Sequence, residues 1–137
     1  MKKKLTITVL VDHPNSWIIP YALKLIRELK IRKHQVFFAK RYEDIKSGDI
    51  AFFLGCLKIV PKNVLALNQH NLVVHESNLP KGKGFSPLSW QILEGKNVIP
   101  VALFEADEGV DSGSVYYRDQ ITFKGHELVD ELRHAQG

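Results

Sequence analysis

The chain has 137 residues but only one cysteine, Cys56, so an internal disulfide is excluded. Such scarcity is typical of a reducing compartment, and we expect a cytoplasmic protein. No apolar run approaches the roughly 18 residues that a membrane-spanning helix needs, so no membrane partner is expected. The length suits one hydrophobic core, and residues 1–137 are therefore predicted to form a single domain.

Several cofactor motifs are also missing. The sequence lacks a Gly-x-Gly-x-x-Gly segment, and the residues 81–84 lack Walker spacing, so neither a dinucleotide nor an NTP site is expected. Histidine and cysteine are scattered, which argues against a metal site. The net charge of +4 is mild, and the basic residues are interspersed with acids. This pattern favours an anionic small ligand and makes nucleic acid an unlikely partner.

Apolar runs alternate with segments of helical periodicity. Ser16 is a candidate N-cap, since Trp17, Tyr21 and Leu25 follow it at spacings of four. The strand runs are apolar throughout, which is typical of a sheet covered on both faces. We predict an α/β, Rossmann-like fold: a mostly parallel sheet with helices on both faces and an antiparallel pair of strands near the C-terminus. The predicted strands are 5–11, 35–39, 49–54, 71–75, 98–106 and 114–123, and the later helices are 61–67, 87–94 and 125–135.

His75 ends one of these apolar runs, and a loop rich in proline and glycine follows at once. Ligands of open α/β sheets bind outside the carboxyl ends of the strands, and imidazole exchanges protons near neutral pH. Asp111 lies in the turn between the last two predicted strands. If both loops open at one sheet edge, this carboxylate would orient the imidazole and stabilise its charged form. A structural histidine and a turn-forming aspartate are the simpler alternatives.

Three segments between residues 51 and 123 resemble the 10-formyltetrahydrofolate-dependent formyltransferase family. That family includes glycinamide ribonucleotide transformylase, methionyl-tRNA formyltransferase and the sugar N-formyltransferases. Residues 73–84, VVHESNLPKGKG, are similar to the family signature Asn-x-His-x-Ser-x-Leu-Pro-x-x-x-Gly. Residues 53–61, FLGCLKIVP, resemble the strand and loop beside the folate pterin, and residues 110–115, VDSGSV, resemble an Asp-x-Gly turn.

The resemblance implies transfer of a formyl group from 10-formyltetrahydrofolate to a primary amine. In the family, an asparagine, a histidine and an aspartate share proton transfer and oxyanion stabilisation; His75 and Asp111 match the last two. Val73 holds the place of the asparagine. Loss of an oxyanion donor costs on the order of a hundred- to a thousandfold in rate. Asn78 is the predicted substitute, the alternative being that it only shapes the turn.

One pair of binding residues is expected from its position, and the others are implied by the resemblance. Asn15 and Ser16 join the first strand to the first helix, where anions often meet a helix N-terminus, so they are expected to bind a phosphate or carboxylate of the acceptor, the alternative for Ser16 being a helix cap. Segments 79–87 and 12–17 are most similar to formyltransferases of bacterial surface-sugar gene clusters. This similarity implies that the acceptor is a small molecule, namely an activated (nucleotide-linked) amino sugar. The residues expected to hold the pterin are Leu57, Lys58, Ile59, Val60, Glu108, Gly109 and Val110.

Some alternatives stay open at this stage. Because Val73 replaces the asparagine, a folate-binding protein with impaired catalysis is the first alternative, and a formyltetrahydrofolate hydrolase is the second. Family members usually continue past the position of Gly137, so the domain is either naturally short or lacks a C-terminal helix or domain. A tRNA acceptor and a homodimer are both compatible with the sequence.

Overall fold

The structure, a computed structural model, describes residues 2–109 and 111–137. The chain divides into two compact units, Met1–Val73 and Val74–Gly137. The first unit contains β1 (Thr6–Leu10), α1 (Ile19–Ile31), β2 (Gln35–Ala39), a 3₁₀ turn (Tyr42–Asp44), β3 (Gly48–Phe53), α2 (Lys62–Leu65) and most of β4 (Asn68–His75). The second unit contains the end of β4, α3 (Pro87–Leu93), β5 (Val98–Glu105), β6 (Val115–Thr122) and α4 (Val129–Gln136).

The strands of the first unit are all parallel, in the order β2-β1-β3-β4. Successive side chains of a strand point to opposite faces, and β1 shows both faces covered. Ile7 and Val9 pack with Ala22 of α1 in one buried cluster. Leu10 packs with Val64 of α2 in a second cluster. The predicted parallel sheet with helices on both faces is therefore confirmed.

The second unit is built on an antiparallel pair of strands, as predicted. β5 and β6 pair with Val98 opposite Thr122, and a bulge separates Leu103 from Phe104. The segment between the strands is too short for a helical crossover, which explains their antiparallel direction. A small core joins α3, β5 and α4 in this unit; its members are Leu88, Ile99 and Phe123, with Ile92, Ile121 and Leu132 partly buried against them. Among the described residues, no helix is long and apolar enough to cross a membrane.

The start of α1 corrects the prediction that Ser16 is its N-cap. The helix begins at Ile19, and the N-cap residue is Ile18, which makes no side-chain cap. Pro20 fits the first turn, where its missing N–H would have no helical acceptor. The Ser16 hydroxyl instead accepts a hydrogen bond from the Ile18 N–H at 3.4 Å, inside the preceding turn.

The last helix begins four residues later than predicted. The Glu127 carboxylate accepts the backbone N–H groups of Lys124, Gly125 and His126 and so holds this segment as a turn. α4 then begins at Val129. Glu131 accepts the Leu128 N–H at 2.7 Å, which satisfies a group that has no partner within the helix.

Candidate active site

His75 and Asp111 lie together in the second unit, which meets the condition under which the carboxylate would orient the imidazole. His75 ends β4 and is only 7% exposed. Its Nε2 atom lies 2.8 Å from the Gly82 carbonyl oxygen and 3.4 Å from Asp111 Oδ2. Because a carbonyl oxygen can only accept, Nε2 carries the proton in this arrangement. The imidazole also makes an edge contact with the Phe104 ring, at a centroid distance of 6.3 Å.

Asp111 is held by the loop that follows His75. Its Oδ2 atom accepts the Gly84 N–H at 2.8 Å. The backbone of Asp111 has a φ of +52°, in the left-handed region that aspartate tolerates better than most residues. The Asp111 side chain is 15% exposed, so the carboxylate and imidazole meet in a largely dry environment. A pair of this kind keeps an imidazole oriented while it exchanges a proton.

The loop of residues 76–86, named here the glycine loop, is fixed by an arginine from β6. Arg118 donates from Nη1 to Asn78 Oδ1 and from Nη2 to the Leu79 carbonyl oxygen, both at 3.0 Å. Among the described residues, Asn78 bonds through its side chain to Arg118 rather than to His75 or Asp111. Its role as an oxyanion donor therefore stays a prediction.

The base of the glycine loop is tied to two helices. The Gln91 side chain of α3 donates to the Glu76 carbonyl oxygen at 2.7 Å, and Gln136 of α4 donates to the Glu76 carboxylate at 2.6 Å. Gly82 has a φ of +72°, and a Cβ atom there would lie 2.9 Å from Ser77 Cβ. Glycine is thus required at the residue whose carbonyl faces His75.

The turn between β5 and β6 is shaped by Asp107. This carboxylate accepts the Gly109 N–H at 2.8 Å and the Ser112 hydroxyl at 2.6 Å. Glu108 and Gly109, both predicted to hold the pterin, are exposed on this turn. Val110, predicted for the same role, lies outside the described residues.

The other predicted pterin residues lie in the first unit, on a loop held by Asp12. The Asp12 carboxylate accepts the N–H groups of Leu57, at 2.9 Å, and Lys58, at 3.0 Å. The Tyr42 hydroxyl donates to the Lys58 carbonyl oxygen, and burial raises the pKa of this phenol above its ordinary value. Leu57 and Ile59 are 55% and 64% exposed. Val60 packs against the core.

Asn15 and Ser16, predicted to bind the acceptor, lie in the turn before α1. The Asn15 N–H donates to Nδ1 of His13 at 3.2 Å, and its side chain is exposed. Both residues precede the first helical residue, Ile19, so they do not form the helix N-terminus that the anion argument assumed. Their role in binding stays a prediction.

Val73 and Asn71 of β4 both contact neighbouring elements of the first unit. Val73 lies opposite Phe53 of β3 and packs against its cluster. The buried Asn71 donates to the Leu65 carbonyl oxygen at 2.9 Å. The Asn71 side chain therefore binds the backbone at the last residue of α2.

Cys56 is a half-buried free thiol. Its Sγ atom lies 3.7 Å from the Leu10 carbonyl oxygen. Burial, and then the negative charge of Asp12, raise the pKa of this thiol to about 12, so it is protonated at neutral pH.

Within the part of the chain that the structure describes, no three histidine, cysteine, aspartate or glutamate side chains are grouped as a metal site.

In the second unit, Gly82, Gly84 and Arg118, which hold the His75–Asp111 pair and its loop, were not singled out by the sequence. In the first unit, the same is true of Asp12, which holds the loop of residues 57–60. The two glycines stand inside residues 73–84, so the local signal for them is glycine itself in a loop that follows a strand. Arg118 binds residues 39 and 40 positions away, and no local pattern reports such a contact.

The chain is similar in sequence to proteins of known family. A sequence profile described as "Formyl transferase" matches residues 26–135. The chain belongs to the formyl transferase family. Methionyl-tRNA formyltransferase of Prochlorococcus marinus subsp. pastoris is a curated member, 30% identical over 101 residues that cover 73% of this chain and 30% of that protein. The chain spans about three tenths of the length of the curated relatives it matches.

Solved structures of formyltransferases share the fold. Methionyl-tRNA formyltransferase from Clostridium thermocellum superposes with a TM-score of 0.75 at 20% identity, covering 95% of this chain and 58% of that one. The formyltransferase PseJ from Anoxybacillus kamchatkensis, in complex with UDP-4,6-dideoxy-4-formamido-L-AltNAc and tetrahydrofolate, superposes with a TM-score of 0.72 at 21% identity, covering 96% and 68%. These similarities establish the α/β fold of the formyl transferase family for this chain.

Proposed function

We propose that this chain is the catalytic domain of an N-formyltransferase that moves a formyl group from 10-formyltetrahydrofolate to a primary amine on a nucleotide-linked amino sugar. The observation that carries the proposal is the buried pair of His75 and Asp111, with Nε2 and Oδ2 3.4 Å apart, at the carboxyl end of β4. Membership of the formyl transferase family supports the reaction class.

The residues of the first unit fit a folate donor. The Leu57–Val60 loop exposes two large apolar side chains, Leu57 and Ile59, although Asp12 fixes its backbone from within the unit. An apolar surface on a fixed loop suits a flat aromatic ring. Because the N–H groups of Leu57 and Lys58 already bind Asp12, the pterin edge would pair with the backbone of Ile59 and Val60. Glu108 and Gly109, and Val110, which lies outside the described residues, stay proposed as pterin contacts on the family resemblance alone.

The proposed chemistry is an acyl transfer in which the folate supplies the formyl carbon. A C–N bond forms between this carbon and the acceptor nitrogen, and the bond to N10 of the folate breaks. His75 takes the proton that the acceptor amine loses and returns it to the departing nitrogen, so protons balance. Asp111 holds the imidazole, and the Asn78 amide is the proposed donor to the oxyanion.

The acceptor class is supported by structural similarity to PseJ, which was solved with a UDP-linked formamido sugar. A second candidate acceptor is an aminoacyl-tRNA, because curated relatives are methionyl-tRNA formyltransferases. The two differ greatly in size and charge, so a direct comparison separates them.

The test is release of tetrahydrofolate by the full 137-residue chain. UDP-linked 4-amino sugars and methionyl-tRNA are offered in parallel, with His75→Asn as the inactive reference. Turnover with an amino sugar that His75→Asn abolishes supports the proposal; turnover with the tRNA alone supports the second acceptor. Formate released without any amine would indicate a hydrolase. Binding of a formyl-folate analogue without turnover on any acceptor would indicate the catalytically impaired protein.

A further inference from the structure

Arg118 makes a forked contact with the glycine loop that the proposed mechanism does not use. The residue lies in β6, opposite Ala102 of β5. Its two terminal nitrogens bind two different acceptors, Asn78 Oδ1 and the Leu79 carbonyl oxygen, each at 3.0 Å. A planar guanidinium holds two acceptors in a fixed geometry, which a lysine ammonium cannot do.

The fork defines the orientation of the Asn78 amide. A guanidinium can only donate, so the amide oxygen must face Arg118 and the NH₂ group must point away from it. The Asn78 carbonyl oxygen also accepts the Lys81 N–H at 3.0 Å, which closes the turn that leads to Gly82. Two points of the glycine loop are thus anchored to β6 just before the residues that bind His75 and Asp111.

The far side of the same loop holds the imidazole. Gly82 supplies the carbonyl that accepts the Nε2 proton of His75, and Gly84 supplies the N–H that binds Asp111. If the loop moved, both groups would leave these positions together. The Nε2–H form of His75 would then lose its shorter hydrogen bond and keep only the 3.4 Å contact with Asp111, whose carboxylate would itself have lost the Gly84 N–H.

We infer that Arg118 is a positioning residue whose guanidinium fork anchors the glycine loop, so that Gly82 holds His75 as the Nε2–H tautomer and the Asn78 NH₂ group is presented as a donor. The inference deepens the proposed formyl transfer and rests on it for its effect on rate. Its effect on the His75 tautomer follows from the hydrogen bonds alone.

The test compares Arg118→Met, which removes the fork and keeps an unbranched apolar side chain, with Arg118→Lys, which keeps the charge. Gln120→Met is the matched control, because Gln120 is exposed on β6 two residues further along. The tautomer of His75 is measured by long-range ¹H–¹⁵N correlation spectra of the full chain, with His75→Asn used for assignment. Steady-state kinetics with the acceptor that supports turnover supply the second readout.

We expect wild type and Gln120→Met to show the Nε2–H tautomer, and both Arg118 variants to show a mixture of tautomers. Turnover of the variants should fall on the order of ten- to a hundredfold, with the KM for the folate changed less than about threefold. An unchanged His75 tautomer in a folded Arg118→Met protein would overturn the inference; if that variant does not fold, Arg118→Lys decides by the same criterion. Absence of turnover in the wild type would count against the proposed function alone, since the spectra still report on Arg118.

Discussion

Asp111 combines the side chain proposed to orient His75 with an uncommon backbone conformation. Its φ of +52° is one that β-branched and bulky residues avoid, whereas aspartate and asparagine accept it. The conformation places Oδ2 within 2.8 Å of the Gly84 N–H and 3.4 Å of His75 Nε2. Aspartate at this position therefore fits the backbone of the turn and also reaches His75. The two interpretations of Asp111, as a turn former and as a catalytic group, are compatible.

Asn is the substitution that separates these two roles. Asp111→Asn keeps the tolerance for positive φ and removes the carboxylate charge, so the fold should persist. We expect kcat/KM for formyl transfer to fall by about a hundred- to ten-thousandfold, the range for loss of positioned acid–base function. The melting temperature should change little. Asp119→Asn, an exposed carboxylate on β6, is the control and should retain activity; near-normal activity of Asp111→Asn would remove the pair from the mechanism.

The Cys56 thiol makes the stability of the fold depend on pH. Burial raises the pKa of its thiol from 9.0 to about 12 in the folded chain. The folded state therefore binds this proton more tightly than the unfolded state, and its contribution to stability is complete below pH 9.0 and is lost as the pH rises toward 12. At pH 8, a thiol reagent should react slowly with folded protein and rapidly in urea. Equal rates in the two states would show that the thiol is neither buried nor perturbed.

Elements in this chain are placed by tertiary contacts as much as by their own sequence. The β5–β6 connection shows this at Gly113, where a Cβ atom would lie 1.6 Å from the Glu105 carbonyl oxygen. The Glu105 N–H in turn donates to the Ser114 carbonyl oxygen at 2.9 Å, so the two strand ends cannot separate without losing a backbone bond. Glycine is thus required in the Asp-x-Gly turn because the ends of β5 and β6 lie too close together there for a side chain.

Gly113→Ala should therefore destabilise the hairpin strongly. We expect the free energy of unfolding in urea to fall by about 3 kcal/mol, the upper part of the range for forced overpacking. Gly95→Ala is the reference, because that glycine has a φ of +82° and open space around its Cβ position. For Gly95→Ala, the free energy of unfolding should fall only by the about 1–2 kcal/mol that an alanine loses in the left-handed conformation. A smaller loss of unfolding free energy for Gly113→Ala than for Gly95→Ala would show that the added methyl group does not collide with the Glu105 carbonyl.

The loop predicted to hold the pterin depends on Asp12. An asparagine there keeps one acceptor oxygen but replaces the other with an NH₂ group, which faces an N–H of Leu57 or Lys58 instead of accepting from it. Asp12→Asn should weaken binding of a formyl-folate analogue by about tenfold, equivalent to about 1.4 kcal/mol. Titration calorimetry measures this, with Asp44→Asn, an exposed carboxylate of the first unit, as control. Unchanged affinity would show that this loop does not hold the folate.

At the scale of the whole molecule, most of the fold was predictable because its signals are local. Apolar runs such as 49–54 indicate strands by themselves, and the short connection before β6 determines antiparallel pairing. The start of α1 was predicted wrongly because Ser16 has the chemistry of a cap, although Pro20 is the residue that suits the first turn. The start of α4 was missed because Glu127 binds three preceding N–H groups, a local pattern that helical periodicity does not report.

The site was predictable only where a motif carries it. His75 and Asp111 could be paired from the family signature, and the structure brings them together. Asn78 could be proposed as a replacement donor, but its orientation depends on Arg118, which lies 40 residues away. Contacts at that separation depend on strand register, so they follow from the folded molecule rather than from the residues near the loop.

Each unit has its own core, and the cores differ in size, which predicts uneven stability. The first unit contains fully buried side chains, such as Val9 and Leu10 of β1 at 0% exposure, in two clusters. Among the described residues, the second unit has six buried apolar residues against twelve in the first, and α4 has none. Local opening is easiest where few apolar contacts must break.

Amide hydrogen exchange measures this directly. We expect the amides of β1 to exchange slowest, through global unfolding, and those of α4 to exchange fastest among the helices. Leu10→Ala should cost about 2–5 kcal/mol and accelerate exchange throughout the first unit, whereas Leu132→Ala, at a half-buried position of α4, should cost less. Protection of α4 equal to that of β1 would mean that both are lost in a single cooperative transition. Because Gln136 of α4 binds Glu76 at 2.6 Å, early loss of α4 should also raise exchange in the glycine loop before β4 is affected.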